Sequence, residues 1–309
     1  MDTQIMDRIE SGSQAQNCYV KKSWQPIGRL SDFVTKSGKA KYNTVCVWEG
    51  PSPRDGQAVI VLVSGLGSTL AQLAEGKAGS TNRKTGAMLQ VAILLRDVNP
   101  EDASSRRLDL GLDEGICGGC QLRPLIFAKI KAQGLAPEGS KPCYVKKTQH
   151  GLVGMWESFH RGNVPSVKPE IVSEFALLHG LSFREGTYGD PAFVPYEVWE
   201  TLSTEASPIG TSYTHDWQNP ASHKMARRAM ASIDPIMAIS QGTTSLELKR
   251  QANGLGFRTY RVITSDDVLD DDEIICPEEQ TSGRIQCIDC GLCSGQRRNA
   301  KNIAITGIN

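Results

Sequence analysis

Apolar positions are arranged in two ways along this chain. Ala58–Val63 is a continuous apolar run and Met88–Leu95 is nearly one, the pattern of strands buried on both faces. Gly38–Glu49 alternates in part and predicts a strand carrying Cys46 and Trp48. From Val167 onward the spacing becomes helical and extended by turns. Glu170–His179 has apolar residues at helical intervals, with Gly180 as its C-cap. Leu181–Phe183 leads into a short strand that ends in Gly186-Thr187-Tyr188-Gly189-Asp190-Pro191. Then follow helix Pro195–Leu202, strand Gly210–Tyr213, helix Lys224–Met230, strand Ala231–Ile233, helix Thr244–Asn253, strand Arg258–Ile263 and a last strand, Asn302–Thr306.

Strands alternating with helices predict a parallel sheet with right-handed crossovers. The expected class is α/β: a partial or complete parallel β/α barrel-like domain with a C-terminal cysteine-rich metal-binding module. The expected division is 1–55 for an N-terminal arm and strand, 56–265 for the α/β domain, and 266–309 for the cysteine module and last strand. Met1–Gln25 shows no periodicity and reads as a loose arm; Leu70–Ala74 reads as a short helix and Asp97–Gly115 as loop.

Charge changes the picture only by subtraction. The 34 Lys and Arg balance 34 Asp and Glu, which removes the simplest argument for a nucleic-acid-binding domain. Short basic segments remain, at Lys21-Lys22, Arg227-Arg228 and Arg297-Arg298. No apolar run approaches the roughly 18 residues of a membrane span, and the first residues lack a basic and apolar leader. A cytoplasmic chain with no membrane partner is expected. The acidic stretch from Asp266 to Glu273 reads as a solvated loop ahead of the cysteine module, since it lacks the spacing of a calcium loop.

Cysteine carries most of the chemical signal. The count is nine, which is odd, and a reducing compartment disfavours a disulfide framework. Cys18 and Cys46 stand alone and read as structural. The other seven form two groups. Cys276-Pro277 followed by Cys287, Cys290 and Cys293 offers four thiolates, three of them at two-residue spacing with Gly291 easing the turn. Such a set fits the corners of an iron–sulfur cluster and equally a tetrahedral zinc. Cys117-Gly118-Gly119-Cys120 forms a compact knuckle that Cys143 closes as a third ligand. Three thiolates leave one position open for chemistry; a fourth protein ligand, His150 or His160, would make the site structural.

In parallel α/β folds ligands bind beyond the C-terminal strand ends. Arg184, Glu185, Tyr188 and Asp190 fall at one predicted strand end, Thr214, His215 and Asp216 at the next, and Asp234 at a third. Asp190 and His215 are the candidate catalytic pair. Arg184 and Asp216, with Asn82 and Lys84 ahead of the Met88 strand, are the candidate substrate-binding residues.

Taken in order, Asn82-Arg83-Lys84-Thr85-Gly86, Cys117–Cys120, Cys143-Tyr144, Arg161-Gly162-Asn163, Tyr188-Gly189-Asp190 and Tyr213-Thr214-His215 resemble the phage and prophage proteins called gene product 88-like and their related domains. The resemblance covers roughly residues 81–263. That family is in turn similar to radical S-adenosylmethionine enzymes, in which three cysteines hold a four-iron cluster and the cofactor occupies the fourth iron. The resemblance thus implies an iron–sulfur cluster on Cys117, Cys120 and Cys143, with S-adenosylmethionine as a further cofactor. Two readings stand: a phage- or plasmid-type iron–sulfur enzyme of radical-SAM-like type, acting on a nucleotide or nucleic acid, or a non-catalytic zinc- or cluster-stabilised factor that binds nucleic acid or protein.

Overall fold

A computed structural model gives the fold and describes residues 26–67, 84–103, 111–136, 142–143, 145, 151–204, 209–264, 267–297 and 299–306. Asn82, Cys18, Lys21-Lys22, His150, Arg298, the N-terminal arm and the Leu70–Ala74 helix lie outside the described residues.

Among the described residues, ten strands form two five-stranded sheets. The first is ordered β1 (Thr44–Pro51), β2 (Ala58–Ser64), β3 (Met88–Leu95), β4 (Ser182–Tyr188), β5 (Ile209–Thr211). Its β1–β2–β3 edge is an antiparallel meander, whereas β3, β4 and β5 run parallel. The second sheet is all parallel: β6 (Tyr213–Thr214), β7 (Met230–Ile233), β8 (Thr259–Ile263), β10 (Asn302–Thr306), β9 (Glu273–Ile275). The pairing therefore gives a mixed α/β fold of two five-stranded sheets, one of them all parallel. Only Ser212 separates β5 from β6; its N–H goes to the Cys293 carbonyl and its own carbonyl accepts from Met230.

The apolar runs do what their composition requires. Val59–Val63 and Leu89–Leu95, apart from Gln90, are buried between the sheet face and a helical layer that includes Pro169–Leu178. Phe33 and Phe175 meet edge to face there, 5.4 Å between centroids. Each such fully buried ring contributes roughly 1.5–3 kcal/mol. A second core of Trp217, Ile233, Met237, Leu248 and Phe257 packs the helices Pro235–Ser240 and Ser245–Gly254 onto the parallel sheet. Thr244 and Glu247 close a capping box at the start of the latter.

Two expectations are corrected. β4 extends to Tyr188, so Arg184 and Glu185 lie within the strand and on opposite faces, by the two-residue period of extended chain. Glu185 turns away from the strand-end cleft into a buried pair with Arg228, 3.3 Å apart, with Ser203 Oγ donating to the same oxygen at 2.6 Å. The acidic stretch is a loop as far as Asp272, but its carboxylates are not simply solvated. Glu273, fully buried, pairs with equally buried Arg261 at 2.6 Å, Asp270 and Asp272 take Lys249, and Glu273 opens the edge strand β9. Buried cations on β8 and the Ser245–Gly254 helix need these carboxylates, because an unpaired buried charge is costly.

Candidate functional site: one cavity between two cysteine groups

A cavity of about 760 Å³ lies against the alternate, same-face residues of the parallel strands: Arg184, Gly186 and Tyr188 on β4, Thr211 and Tyr213 on β5 and β6, Ser232 on β7, Tyr260 and Val262 on β8, Ile305 on β10. Both sheets contribute to it. The side-chain period of two is what places these residues on one face. The volume falls within the range of small-molecule sites.

At the C-terminal strand ends, Cys117, Cys120 and Cys143 line the cavity beside Asp190, His215 and Asp234. The knuckle is held from several directions. The Asp190 N–H donates to the Ile116 carbonyl at 2.6 Å, and the Cys143 N–H donates to the Leu122 carbonyl at 2.8 Å, which returns the chain alongside Cys120. Gly118 has φ +53°, and a Cβ there would run into the Phe193 ring, so only glycine serves at this position. The helix Pro124–Ala132 then leads away, its Phe127 and Ile130 packing on Ile236 just beyond Asp234.

Asp190 and His215 meet directly. The His215 N–H donates to Asp190 Oδ2 at 2.7 Å, while Asp190 Oδ1 accepts from Ala192 N–H at 3.0 Å. Asp234 caps the Pro235–Ser240 helix, its Oδ1 accepting from Met237 N–H at 2.8 Å. Each aspartate therefore serves as a turn or cap residue and as a cavity wall at once. Burial raises the Asp190 and Asp234 carboxyls above their ordinary range, and the nearby imidazole counteracts it. For His215 burial alone lowers the pKa, but the Cys120 side chain, to which the imidazole hydrogen-bonds, and the carboxylates of Asp190 and Asp234 push it up to about 10. Burial raises the Cys117 thiol well above its usual value, reinforced by Cys120, Asp113 and Cys143.

The C-terminal group closes the other side. Cys276, Cys287 and Cys293 line the same cavity with Lys84, Arg184, Tyr213, Glu278 and Glu279. Cys276, Cys287, Cys290 and Cys293 also surround one small recess of about 10 Å³. The helical turn Cys287–Cys290 is seated by two backbone bonds, Cys287 N–H to Lys84 O at 2.9 Å and Ile288 N–H to Thr85 O at 3.1 Å, and Gly291 ends it in the left-handed region. Arg258, just before β8, donates to the carbonyls of Leu292, Ser294, Ala300 and Lys301. Burial, then the neighbouring thiols, push Cys287 up to about 11; burial pushes Cys293 up to about 12, against the side-chain hydrogen bond from Tyr213 that favours its thiolate.

The sequence-predicted residues thus fall in two groups. Asp190 and His215 stand with Cys117, Cys120 and Cys143; Lys84 and Arg184 stand with Cys276, Cys287 and Cys293, and Cys290 joins these at the small recess. Asp216 does not line the cavity: its carboxylate pairs with Arg54 at 3.1 Å and accepts from Ser222 Oγ. His160 does not line the cavity with the knuckle; it packs away from it, its Nε2 2.7 Å from the Arg96 carbonyl. His215 is the histidine at the knuckle. Arg228, committed to Glu185, is withdrawn from any basic surface patch. Tyr213 and Tyr260, whose rings lie 4.4 Å apart in the cavity wall, escape the sequence reading. Tyr213 was within reach of it, two residues before His215, which follows the end of β6.

Among the described residues, no group of three or more His, Cys, Asp or Glu is placed to hold a metal ion. No described helix is long and apolar enough to cross a membrane. No protein family, curated protein or solved structure matches this chain.

Proposed function

We propose that this chain is an iron–sulfur enzyme of radical-SAM-like type, with one cluster on Cys117, Cys120 and Cys143, a second on Cys276, Cys287, Cys290 and Cys293, and a nucleotide or nucleic-acid substrate in the cavity between them. The observation that carries the reading is that two cysteine groups far apart in sequence border one 760 Å³ cavity at strand ends. The four thiolates of the C-terminal group suit an iron–sulfur cluster or a tetrahedral zinc alike, and it is the resemblance that favours the cluster. Three thiolates at the knuckle would leave an iron open to a ligand, S-adenosylmethionine by the resemblance, and so supply one-electron chemistry.

The chain's own residues have separable tasks. His215 hydrogen-bonds to the Cys120 side chain and is fixed through its backbone by Asp190, so it orients one ligand of the open centre and holds a proton beside it. Arg184 and Lys84 bring positive charge to the cavity wall; Lys84 is paired with Glu278 at 3.8 Å, so Arg184 is the group offered to a substrate phosphate. Tyr213 and Tyr260 supply an aromatic wall.

Iron, acid-labile sulfide and zinc measured on protein purified without oxygen test this. Two clusters are expected, with Cys120→Ser and Cys290→Ser each losing one. A colourless protein holding stoichiometric zinc would overturn the enzyme reading in favour of a zinc-stabilised binding factor.

A further inference from the structure

We propose that Asp234 is the ligand-recognition group of this cavity and that it takes an amino group as N–H donor onto Oδ2. The inference rests on the cavity being a ligand site, as above, but not on the metal.

Asp234 is 3% exposed and lines the cavity where β7 ends. Its two oxygens are unequally used. Oδ1 accepts from Met237 N–H at 2.8 Å, whereas Oδ2 is buried with no hydrogen-bond partner. Neighbouring Asp190 spends both oxygens on backbone N–H groups, those of Ala192 and His215. Asp234 thus has the spare acceptor of this pair. A buried acceptor left unmet costs the full desolvation of the group, and burial works against its charge, so an incoming donor restores what the fold withholds.

The surroundings define the donor. Ser232 lies on the same face of β7, and Tyr260 is paired with it across the ladder. A planar or aliphatic body therefore rests against serine and tyrosine while its nitrogen reaches Asp234. The unmet carboxylate oxygen favours a nitrogen donor over a carbonyl or phosphate oxygen, which would face Oδ2 acceptor to acceptor. The shared chemistry is an amino group, available as the exocyclic amine of a base or as an aliphatic ammonium.

Calorimetric titration of the full chain with matched pairs tests it: adenosine against inosine, cytidine against uridine, and putrescine against 1,4-butanediol. Within each nucleoside pair a ring carbonyl replaces the amine at constant shape. The wild-type protein should favour the amine of at least one pair by about tenfold or more. Asp234→Asn keeps an oxygen for Met237 and puts an N–H₂ where Oδ2 stood, so it should lose that preference or, between nucleosides, reverse it. A nucleoside preference assigns the donor to a base; a preference confined to putrescine assigns it to an ammonium. Equal affinities in every pair, a carbonyl preference in the wild-type protein, or no amine binding at millimolar concentration overturns the proposal. Should Asp234→Asn not fold, the wild-type comparison alone decides. Iron and sulfide are measured on the same preparation. Iron-free protein that still discriminates removes the cluster reading only; iron-loaded protein that does not discriminate removes this one only.

Discussion

Arg123 reaches Asp113 across 2.9 Å from Nε to Oδ1, and each side chain is 4% exposed. The same guanidinium donates from Nη1 to the Gly118 carbonyl at 2.7 Å and from Nη2 to the Gly111 carbonyl at 2.6 Å. One buried cation thus ties the segment before Cys117 to the turn between Cys117 and Cys120. Removing one partner of such a pair strands the other charge, at about 3–5 kcal/mol. Arg123→Ala should lower the urea midpoint accordingly and expose the Cys117 and Cys120 thiols to alkylation, while Cys287 and Cys290 keep their wild-type reactivity. Equal reactivity changes in both groups would show that the pair holds the fold at large and not the knuckle.

The two glycines of the knuckle should behave differently although they are adjacent. Gly118 has a positive φ and faces Phe193; a Cβ on Gly119 meets nothing within 4 Å. Gly118→Ala is expected to displace the turn and cost about 1–3 kcal/mol, the range for a residue forced into a sparsely populated backbone region. Gly119→Ala is expected to be neutral within about 0.5 kcal/mol, as for an unconstrained surface site. Melting curves of the two variants, run side by side, decide the matter.

Acid should unfold this protein through the carboxylates around Lys249 and Arg261. Hydrogen bonds from Lys249 and Arg250 hold Asp270 far below the usual carboxylate range. Asp267, despite a burial effect in the opposite direction, is lowered by Thr264, Ser245 and Arg261. A folded-state pKa below the unfolded value of about 3.9 contributes stability that is present above that value and lost as pH falls through the folded one. Stability should therefore drop below about pH 4, and Asp270→Asn should flatten that part of the profile while lowering the plateau near neutrality. A profile unchanged by the substitution would remove Asp270 from the account. Glu273→Gln is the harsher change, since it leaves the fully buried Arg261 guanidinium without its closest carboxylate.

How much of this was legible in the sequence follows from what each residue packs against. Met88–Leu95 and Asn302–Thr306 are legible to the residue, because buried strands leave apolar runs with sharp ends. The helix before Gly180 is legible for the same reason with a different period. β9 is hidden because its first residue, Glu273, is a carboxylate buried against Arg261; the rule that charge means solvent fails wherever the partner comes from a distant strand. The break between β5 and β6 is hidden too, since at Ser212 the chain bonds to the Cys293 carbonyl from a distant segment. Asp190 and His215 were readable as a pair from their successive strand ends. Asp216, one residue further along and past the end of β6, points elsewhere, to Arg54 and Ser222.

The C-terminal cysteine segment depends on Arg258 as the knuckle depends on Arg123. Its guanidinium donates to Leu292 O and Ser294 O, both at 2.8 Å, to Ala300 O at 3.0 Å and to Lys301 O. Leu292, Ser294, Ala300 and Lys301 are thereby tied to the start of β8, and no carboxylate is among these partners. The cation is satisfied by carbonyl dipoles alone, and burial lowers its pKa from the ordinary arginine value. Replacement by alanine leaves at least the 8%-exposed site partly empty and several carbonyls unmet, each costing about 1–3 kcal/mol where no water reaches it. Arg258→Ala should therefore release residues 287–301 before the rest unfolds, seen as faster amide exchange there and earlier proteolytic cleavage. Arg258→Lys, with one point of charge in place of a planar fork, cannot span four acceptors and should restore only part of the protection. If the lysine variant matches wild type, positive charge alone holds the segment and the fork geometry does not matter.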